Sequence, residues 1–376
     1  MLTEAGCRER QRRLREQLDR EQIDAVVLTD YRDVYYFTGI LLPDKFPGGR
    51  FPVYMLIETH GNCWLVGDTC VESACVGECF AYEWNKLGTN TPDLMHQLNG
   101  VVEARLRGRP SVRRLGWQAE SMSHLLRATT EHALRPDDWI AVDGLLEQMQ
   151  RRKDPDEVDV IRRCVQVSLA GYTAARAAIA PGATELDVLA AGQRGAMREA
   201  GQRVYHDGDY RCGVFNGPAR PRAIEADEIY IIDAQTYYEG YWSDLSRAFS
   251  VGGEPTRLQQ SIFDHIAAVQ RDVPGLLKPG VDGRQVWQAL DRMIREHPAL
   301  AETGLWHHGG HGIGLHLHEM PDINRDRGGL LEVGNVVSVE PGGYADAARY
   351  GARIENMYLI TEDEAENLSE YPVQLV

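Results

Sequence analysis

The chain has no run of eighteen consecutive apolar residues, which excludes a membrane-spanning helix of ordinary length. Its opening residues, MLTEAGCRERQRRLREQ, contain no apolar stretch of the kind an export signal needs, so a cytoplasmic location is expected. The seven cysteines include no C-x-x-C pair, and their odd number argues against a closed disulfide framework. Buried reduced thiols are the expectation, and the spacings of Cys70, Cys75 and Cys79 match no common zinc module. A P-loop is missing, as is a G-x-G-x-x-G after a strand, so nucleotide use is not expected. Basic residues are in the minority, 40 against 56 acidic ones, and the net charge of −16 disfavours nucleic acid and anionic membrane surfaces as partners.

At 376 residues the chain exceeds one compact core and divides naturally into two domains. Residues 1–150 read as a small α/β domain. Arg8 to Arg20 forms a charged amphipathic helix, Ile23 to Leu28 a buried strand, and the segment after it a loop; strand signals recur at Pro52 to Ile57 and Cys63 to Val66. The boundary falls at RRKDPDEVD, where Pro155 suits a helix entry. In residues 151–376 a long helix reaches Ile179, and Thr184 caps a second one that stops at Gly201. Strands follow at Glu228 to Ile232 and Tyr241 to Ser250. Two more helices cover roughly 256–275 and 284–297, and strands end the chain at Asn335 to Glu340 and Arg353 to Thr361. The order helix, helix, strands therefore occurs twice, which suggests an α+β domain of two duplicated halves.

Five of the twelve histidines crowd into WHHGGHGIGLHLHEMP: His307, His308, His311, His316 and His318. Histidine is the commonest neutral metal ligand and the usual proton carrier near neutrality. Acids surround the run: Asp233 and Asp244 upstream, Glu340 and Glu355 downstream. Asp233 and Asp244 lie symmetrically about Tyr238–Glu239, a register that would oppose them directly in a hairpin with Cβ atoms about 5 Å apart. Facing carboxylates repel unless a cation lies between them. Gly314 to His318 alternates, which would put His316 and His318 on one strand face. HEMPD is not the helical H-E-x-x-H of zinc proteases, because Asp322 stands where the second histidine belongs and Pro321 would break the helix. Glu340 closes the apolar strand NVVSVE. Glu355 lies within RIENMYLI, where an ionised carboxylate needs a partner or a metal, and Arg353 on the same strand face could be that partner. Four carboxylates and one histidine make an oxygen-rich site suited to two divalent ions: Mn²⁺, Co²⁺, Zn²⁺ or Fe²⁺.

At this point the sequence resembles the pita-bread metallopeptidases, the group of methionine aminopeptidase, aminopeptidase P, prolidase and creatinase. Their ligand order, Asp, Asp eleven later, His in a G-H-G-x-G-L run, Glu before Pro-Gly and Glu in a final strand, falls on Asp233, Asp244, His311, Glu340 and Glu355. The run SDLSR, Ser243 to Arg247, is similar to the family's SDxTR. IDAVVLTDYRDVYYFTG and RRKDPDEVDVIRR resemble the N-terminal domain and linker of the prolidase and creatinase branch. The resemblance implies a creatinase/prolidase-like N-terminal domain and a pita-bread catalytic domain with pseudo-twofold halves. It also implies two metal ions, manganese foremost, and a homodimer.

It further implies hydrolysis of an N-terminal peptide bond, Xaa-Pro above all, by a hydroxide bridging the two ions. Glu340 would be the proton shuttle, His318 would stabilise the oxyanion, and His307 would help bind the substrate. Arg353 would orient ligands and substrate. His308 and His316 are read as peripheral. One departure stands out: the family's third non-ligand histidine, seventeen residues before the first aspartate, is Asn216 here, and His206 lies ten residues too early to replace it. A neutral amide at a substrate-binding position leaves an alternative open, a small-molecule C–N hydrolase or a lyase, similar to the branch's ectoine hydrolase and dimethylsulfoniopropionate lyase. A metal-binding but inactive homologue is the remaining reading.

Overall fold

The computed structural model describes residues 1–41 and 51–376. Two compact units emerge, Met1–Met149 and Gln150–Val376. The first begins with α1 (Glu4–Arg20), β1 (Ala25–Leu28), α2 (Tyr31–Thr38), β2 (Tyr54–Glu58), β3 (Cys63–Gly67) and β4 (Glu78–Ala81). A small ribbon, β5 (Asn85–Lys86) and β6 (Thr89–Asn90), leads to α3 (Leu94–Leu106), β7 (Arg114–Trp117), α4 (His124–Leu134) and β8 (Asp138–Ala141). Helix α5 (Asp143–Arg151) runs across the boundary. Six strands form one mixed sheet in the order β4-β3-β2-β1-β7-β8, with β1 parallel to β7 and antiparallel to β2. All four residues of β1, AVVL, are buried, as a strand covered on both faces must be. Val27, Leu56, Trp64 and Leu115 pack there with Leu98 and Val102 of α3 and Leu126 of α4.

The segment after β1, expected as a loop, is a helix. Asp30 caps α2 by accepting from the Arg32 amide at 2.8 Å, and Gly39 closes it in the left-handed region. Val34, Tyr35, Tyr36 and Phe37 are all buried, so burial on both sides hides the helical period that a surface helix would show. No disulfide joins the described cysteines.

The second unit opens with α6 (Pro155–Ala178), α7 (Glu185–Ala200), β9 (Tyr205–Cys212), β10 (Ile229–Tyr238) and β11 (Tyr241–Ser250). It continues with α8 (Arg257–Leu276), α9 (Gly283–Ile294), β12 (Gly310–Gly312), β13 (Glu319–Ile323) and β14 (Val336–Val339). The strands β15 (Gly342–Gly343), β16 (Ala352–Arg353), β17 (Asn356–Ile360) and β18 (Ala365–Asn367) complete it. Each of the four helices starts from a reciprocal capping pair: Asp154 with Glu157, Thr184 with Asp187, Thr256 with Gln259, Asp282 with Gln285. Two sheets follow the two helix pairs, β11-β10-β9 and β13-β12-β14-β17-β18. The mixed architecture of two helix-helix-strand halves matches the sequence-based expectation of a pita-bread domain.

Apolar burial ties the second sheet to its helices. Ile262, Ile266 and Val269 of α8 and Val286 and Leu290 of α9 pack with Val337, Val339 and Tyr358. Each such fully buried aliphatic side chain is worth about 1.5–3 kcal/mol. In the first half Gly171 and Gly192 let α6 and α7 approach β9, since a Cβ on Gly171 would meet the His206 ring at 2.6 Å. A single antiparallel bridge, Ser246 to Glu355, stitches β11 of the first half to the strand region of the second.

Candidate metal centre

Strands β10 and β11 form a hairpin closed by Glu239 and Gly240, both at positive φ (47° and 91°). Tyr238 therefore faces Tyr241, Asp233 faces Ser246, and Asp244 faces Gln235. The expected direct opposition of Asp233 and Asp244 is corrected by one step of the turn. The two carboxylates are diagonal neighbours on one face, because the two-residue turn sits one position later than a turn centred on Tyr238–Glu239. Gln235 lies between them, its Nε2 donating to Asp233 Oδ1 at 3.1 Å and Asp244 Oδ1 at 3.0 Å.

Strand β9 adds a second acidic row. Asp209 is directly across from Asp233, and Asp207 is across from Gln235. Such a pairing of like charges destabilises a sheet unless a cation answers it. Arg353 does so: its guanidinium lies 2.7 Å from Asp233 and 3.0 Å from Asp209, and Nε donates to Ser246 Oγ at 3.3 Å. The expected Arg353–Glu355 pair is thus corrected. Residues 352–353 pair with Gly342–Gly343 in their own ribbon, which turns Arg353 toward the first half's acids.

Glu355 instead accepts from Ser338 Oγ at 2.6 Å, and its Oε2 is buried with no hydrogen-bond partner among the described residues. Glu340 follows β14 and is buried, with His308 Nδ1 3.1 Å from Oε1 and His307 Nδ1 3.9 Å from Oε2. His308, read from sequence as peripheral, therefore contacts the acid expected to shuttle protons. His311 donates from Nδ1 to the Gly312 carbonyl at 2.9 Å, which leaves Nε2 facing Asp244 at 3.8 Å. Glycine is required beside it: at φ 148° a Cβ on Gly310 would lie 2.0 Å from the Ser338 carbonyl.

The alternating run 314–318 is not a strand. Its backbone is a series of bends, so His316 and His318 do not share a strand face. Glu319 fixes these bends, accepting from the His316 amide at 2.9 Å and pairing with the buried Lys153 at 2.5 Å. His318 is exposed, with its ring stacked on that of His311, centroids 3.8 Å apart.

Donor atoms within 4.8 Å of one another form three overlapping trios among the described residues. These are Asp233–Asp244–Glu355, His311–Glu340–Glu355 and Asp244–His311–His318. All five residues proposed from sequence as ligands are brought together, and His318 joins their edge. Burial pushes Glu340 up to about 8, against the pull of Arg353 and with the help of Asp233 and Asp209. Burial, then the charge of neighbouring acids, raises Asp244 and Glu355 well above the usual carboxylate range. Burial drives His311 well below the usual imidazole value, so it is neutral and ligand-competent. Crowded acids, a free imidazole nitrogen and an orphaned carboxylate oxygen are the donor set that divalent cations fit.

Around this core the structure adds residues that the sequence did not announce. Phe215 packs at a tilt against Trp306 (centroids 4.3 Å apart) and edge-on against Tyr344 (4.6 Å), and the Arg353 guanidinium lies 5.3 Å from its ring. His307 sits among them, with Nδ1 donating to the His308 carbonyl at 2.6 Å and Nε2 accepting from the Tyr344 hydroxyl at 3.1 Å. Burial first, then the charge of Arg353, lowers its pKa to about 3. Asn216, next to Phe215, is exposed. His206 lies apart from the site. It is buried in β9 between Thr236 (2.8 Å) and the Tyr210 hydroxyl (2.7 Å).

Comparisons with known proteins agree with this fold. Residues 10–151 match the creatinase/prolidase N-terminal domain. A probable dipeptidase, PepE, from Mycobacterium tuberculosis is 30% identical over 281 residues, 74% of this chain and 73% of its own. The Xaa-Pro dipeptidase of Pyrococcus horikoshii is 26% identical over 98% of this chain and 99% of its own. Among solved structures, the prolidase from the same organism superimposes with a TM-score of 0.76 at 22% identity, covering 98% of this chain and 100% of that one. Escherichia coli aminopeptidase P in complex with substrate gives 0.78 at 19%, covering 98% and 95%. The acids and histidines of the cluster all fall within residues 159–362, the stretch that matches the model of metallopeptidase family M24, and the chain belongs to that family.

Proposed function

We propose that the protein cleaves the N-terminal peptide bond of short peptides, Xaa-Pro bonds foremost, with two divalent ions held by Asp233, Asp244, His311, Glu340 and Glu355. The observation that carries this reading is the convergence of four buried carboxylates on one neutral histidine, with Glu355 Oε2 left without a partner among the described residues. Divalent ions in such a set acidify a bound water and polarise a carbonyl, with manganese expected first and Co²⁺, Zn²⁺ or Fe²⁺ as substitutes. That two Pyrococcus relatives matched over 98% of this chain are Xaa-Pro dipeptidases supports the substrate class.

The chain's own groups then have distinct tasks. Glu340, held by His308, takes a proton from the attacking water and passes it to the leaving nitrogen. His318, exposed at the rim, donates to the oxygen that gains charge as the carbonyl carbon becomes tetrahedral. His307 contacts the substrate only where a substrate group takes the place of the Tyr344 hydroxyl at Nε2. Arg353 holds Asp233 in place and aligns the acids with the Phe215 shelf.

A second reading rests on Asn216. With an exposed amide where Xaa-Pro enzymes of this group are expected to carry histidine, the same ions would serve a small-molecule amide or a lyase substrate. The deciding experiment is a screen of the chain loaded in turn with Mn²⁺, Co²⁺ and Zn²⁺. Xaa-Pro dipeptides, Xaa-Pro-Xaa tripeptides and proline-free controls are offered, and products are read by mass spectrometry. Metal-dependent cleavage before proline establishes the first reading. Silence on every peptide by a metal-loaded chain discards it in favour of the second.

A further inference from the structure

At the edge of the first unit's sheet two thiols meet that the proposed chemistry does not use. Strands β3 and β4 run parallel with Leu65 opposite Cys79, and β4 is the outermost strand. The segment between them, residues 68–77, brings Cys70 back against Cys79: the Cys70 thiol donates to the Cys79 carbonyl at 3.0 Å. Burial first, and then the adjoining Cys70 thiol, push the Cys79 thiol up to about 11. The Val71 amide, which donates to the same sulfur, pulls the other way. Residues 70 and 71 therefore hold Cys79 at both its carbonyl and its sulfur.

These two sulfurs differ from the other five. Cys7, Cys63, Cys75, Cys164 and Cys212 are buried, whereas Cys70 is exposed and Cys79 half-buried. Cys70 thus departs from the buried thiols expected of this chain. Burial raises Cys63, Cys75, Cys164 and Cys212 above the ordinary thiol range, which keeps them protonated and inert. The far end of the segment is anchored: Gln11 Nε2 donates to the Cys75 carbonyl at 2.7 Å, and Ser73 Oγ to the Thr38 carbonyl at 3.0 Å. That anchorage fixes the loop on α1 and the end of α2, with Cys70 and Cys79 at its base. A metal does not account for the pair. Structural zinc takes four ligands, and no trio of close donors among the described residues includes a cysteine. Two thiols in contact, one of them open to solvent, are what thiol–disulfide exchange requires.

We propose that Cys70 and Cys79 form a reversible disulfide, which makes this edge a site of oxidative modification by small-molecule disulfides such as glutathione disulfide. Cys70, the exposed group, attacks as the thiolate, forms a mixed disulfide with one half of the reagent and expels the other half. Cys79 then attacks the Cys70 sulfur and expels the second half. Two protein thiols are oxidised, one reagent disulfide is reduced, and the two protons leave on the released thiols. Cys79 is little ionised near neutrality, so its attack relies on contact with Cys70 rather than on its thiolate fraction. For the same reason it is a poor leaving group, and the closed bond reopens slowly when a thiol attacks Cys70.

The test treats the full chain with excess glutathione disulfide, blocks the remaining thiols with N-ethylmaleimide under denaturing conditions, and reads the adducts by intact mass. Seven adducts before treatment should fall to five after it, with no glutathione retained. Peptide mapping without reduction should join Cys70 to Cys79, and dithiothreitol should restore all seven thiols. Cys79→Ser should stop at a stable glutathione adduct on Cys70, and Cys70→Ser should keep its six remaining thiols. The mapping uses the unmodified chain, so its result does not depend on how either variant folds. Seven adducts throughout, a lasting glutathione adduct on the unmodified chain, or a bond to another cysteine or a second chain overturns the proposal.

Discussion

The two halves of the catalytic unit supply the site in opposite ways. The first half presents acids from regular strands: Asp207 and Asp209 on β9, Asp233 on β10 and Asp244 on β11, all placed by an unbroken antiparallel register. The second half presents histidines and glutamates from short strands, glycine-rich turns and bends. One side thus offers carboxylates at set spacings, and the other offers three of the proposed ligands, His311, Glu340 and Glu355, beside the histidines proposed to bind and donate. Rigid register suits cation holding, whereas the bends place His308 and His318 at the rim, where a reacting group can reach them.

Exchanging one residue on each side tests this division. The largest effect is expected from Asp244→Ala, which should abolish activity together with bound metal, measured by plasma emission on the dialysed chain. His318→Ala should lower kcat by about 10²–10³-fold while metal content stays intact. Loss of metal in that variant would make His318 a ligand, the role that its trio with Asp244 and His311 permits, and the division would fail on its second side. Arg353→Lys, which cannot span both Asp209 and Asp233 with a planar fork, should cost about 10–100-fold in metal affinity or activity.

His206 sharpens the contrast, because it is the first half's own histidine and is held rigidly. Burial depresses its pKa from 6.5 to about 4. Above 6.5 the ring is neutral in folded and unfolded chains alike and its contribution is fully present. As pH falls below 6.5 the unfolded chain takes up a proton that the folded one refuses, and stability drops. Between about pH 7 and about pH 5 this group should account for about 2 kcal/mol. Urea unfolding of His206→Gln, whose amide can still bond Thr236 and Tyr210, should show a shallower loss over that interval, and an unchanged slope would refute the assignment. The smallest effect is expected from Asn216→His: a severalfold gain in Xaa-Pro cleavage in the screen above, with no change if this loop position does not discriminate.

Much of this was legible in the sequence where local signals are strong. The helix entries at Pro155 and Thr184 announce themselves through a proline and a capping threonine, and the proposed ligand set through residue type and order. Register was less legible. A symmetric turn about Tyr238–Glu239 is the simplest reading of the hairpin, yet Gly240 accepts positive φ readily and draws the turn one step along. Strand β9 escaped notice because Asp207, Asp209 and Arg211 on one face are charged, and His206, Tyr210 and Cys212 on the other make a weak apolar pattern. The Arg353 pairing with Asp209 and the Phe215–Trp306 ring contact join residues far apart in the chain, where no local period carries information.

The hairpin turn has a consequence for how this chain can change. Side chains along a strand alternate with a period of two, so a one-residue insertion or deletion between Asp233 and Glu239 would send one carboxylate to the opposite face of the sheet. Insertions of two would keep the faces but move the aspartates apart. Length in this segment is therefore more tightly constrained than identity: the half-buried Tyr237 can vary in chemistry, but the number of residues separating the aspartate from the turn cannot.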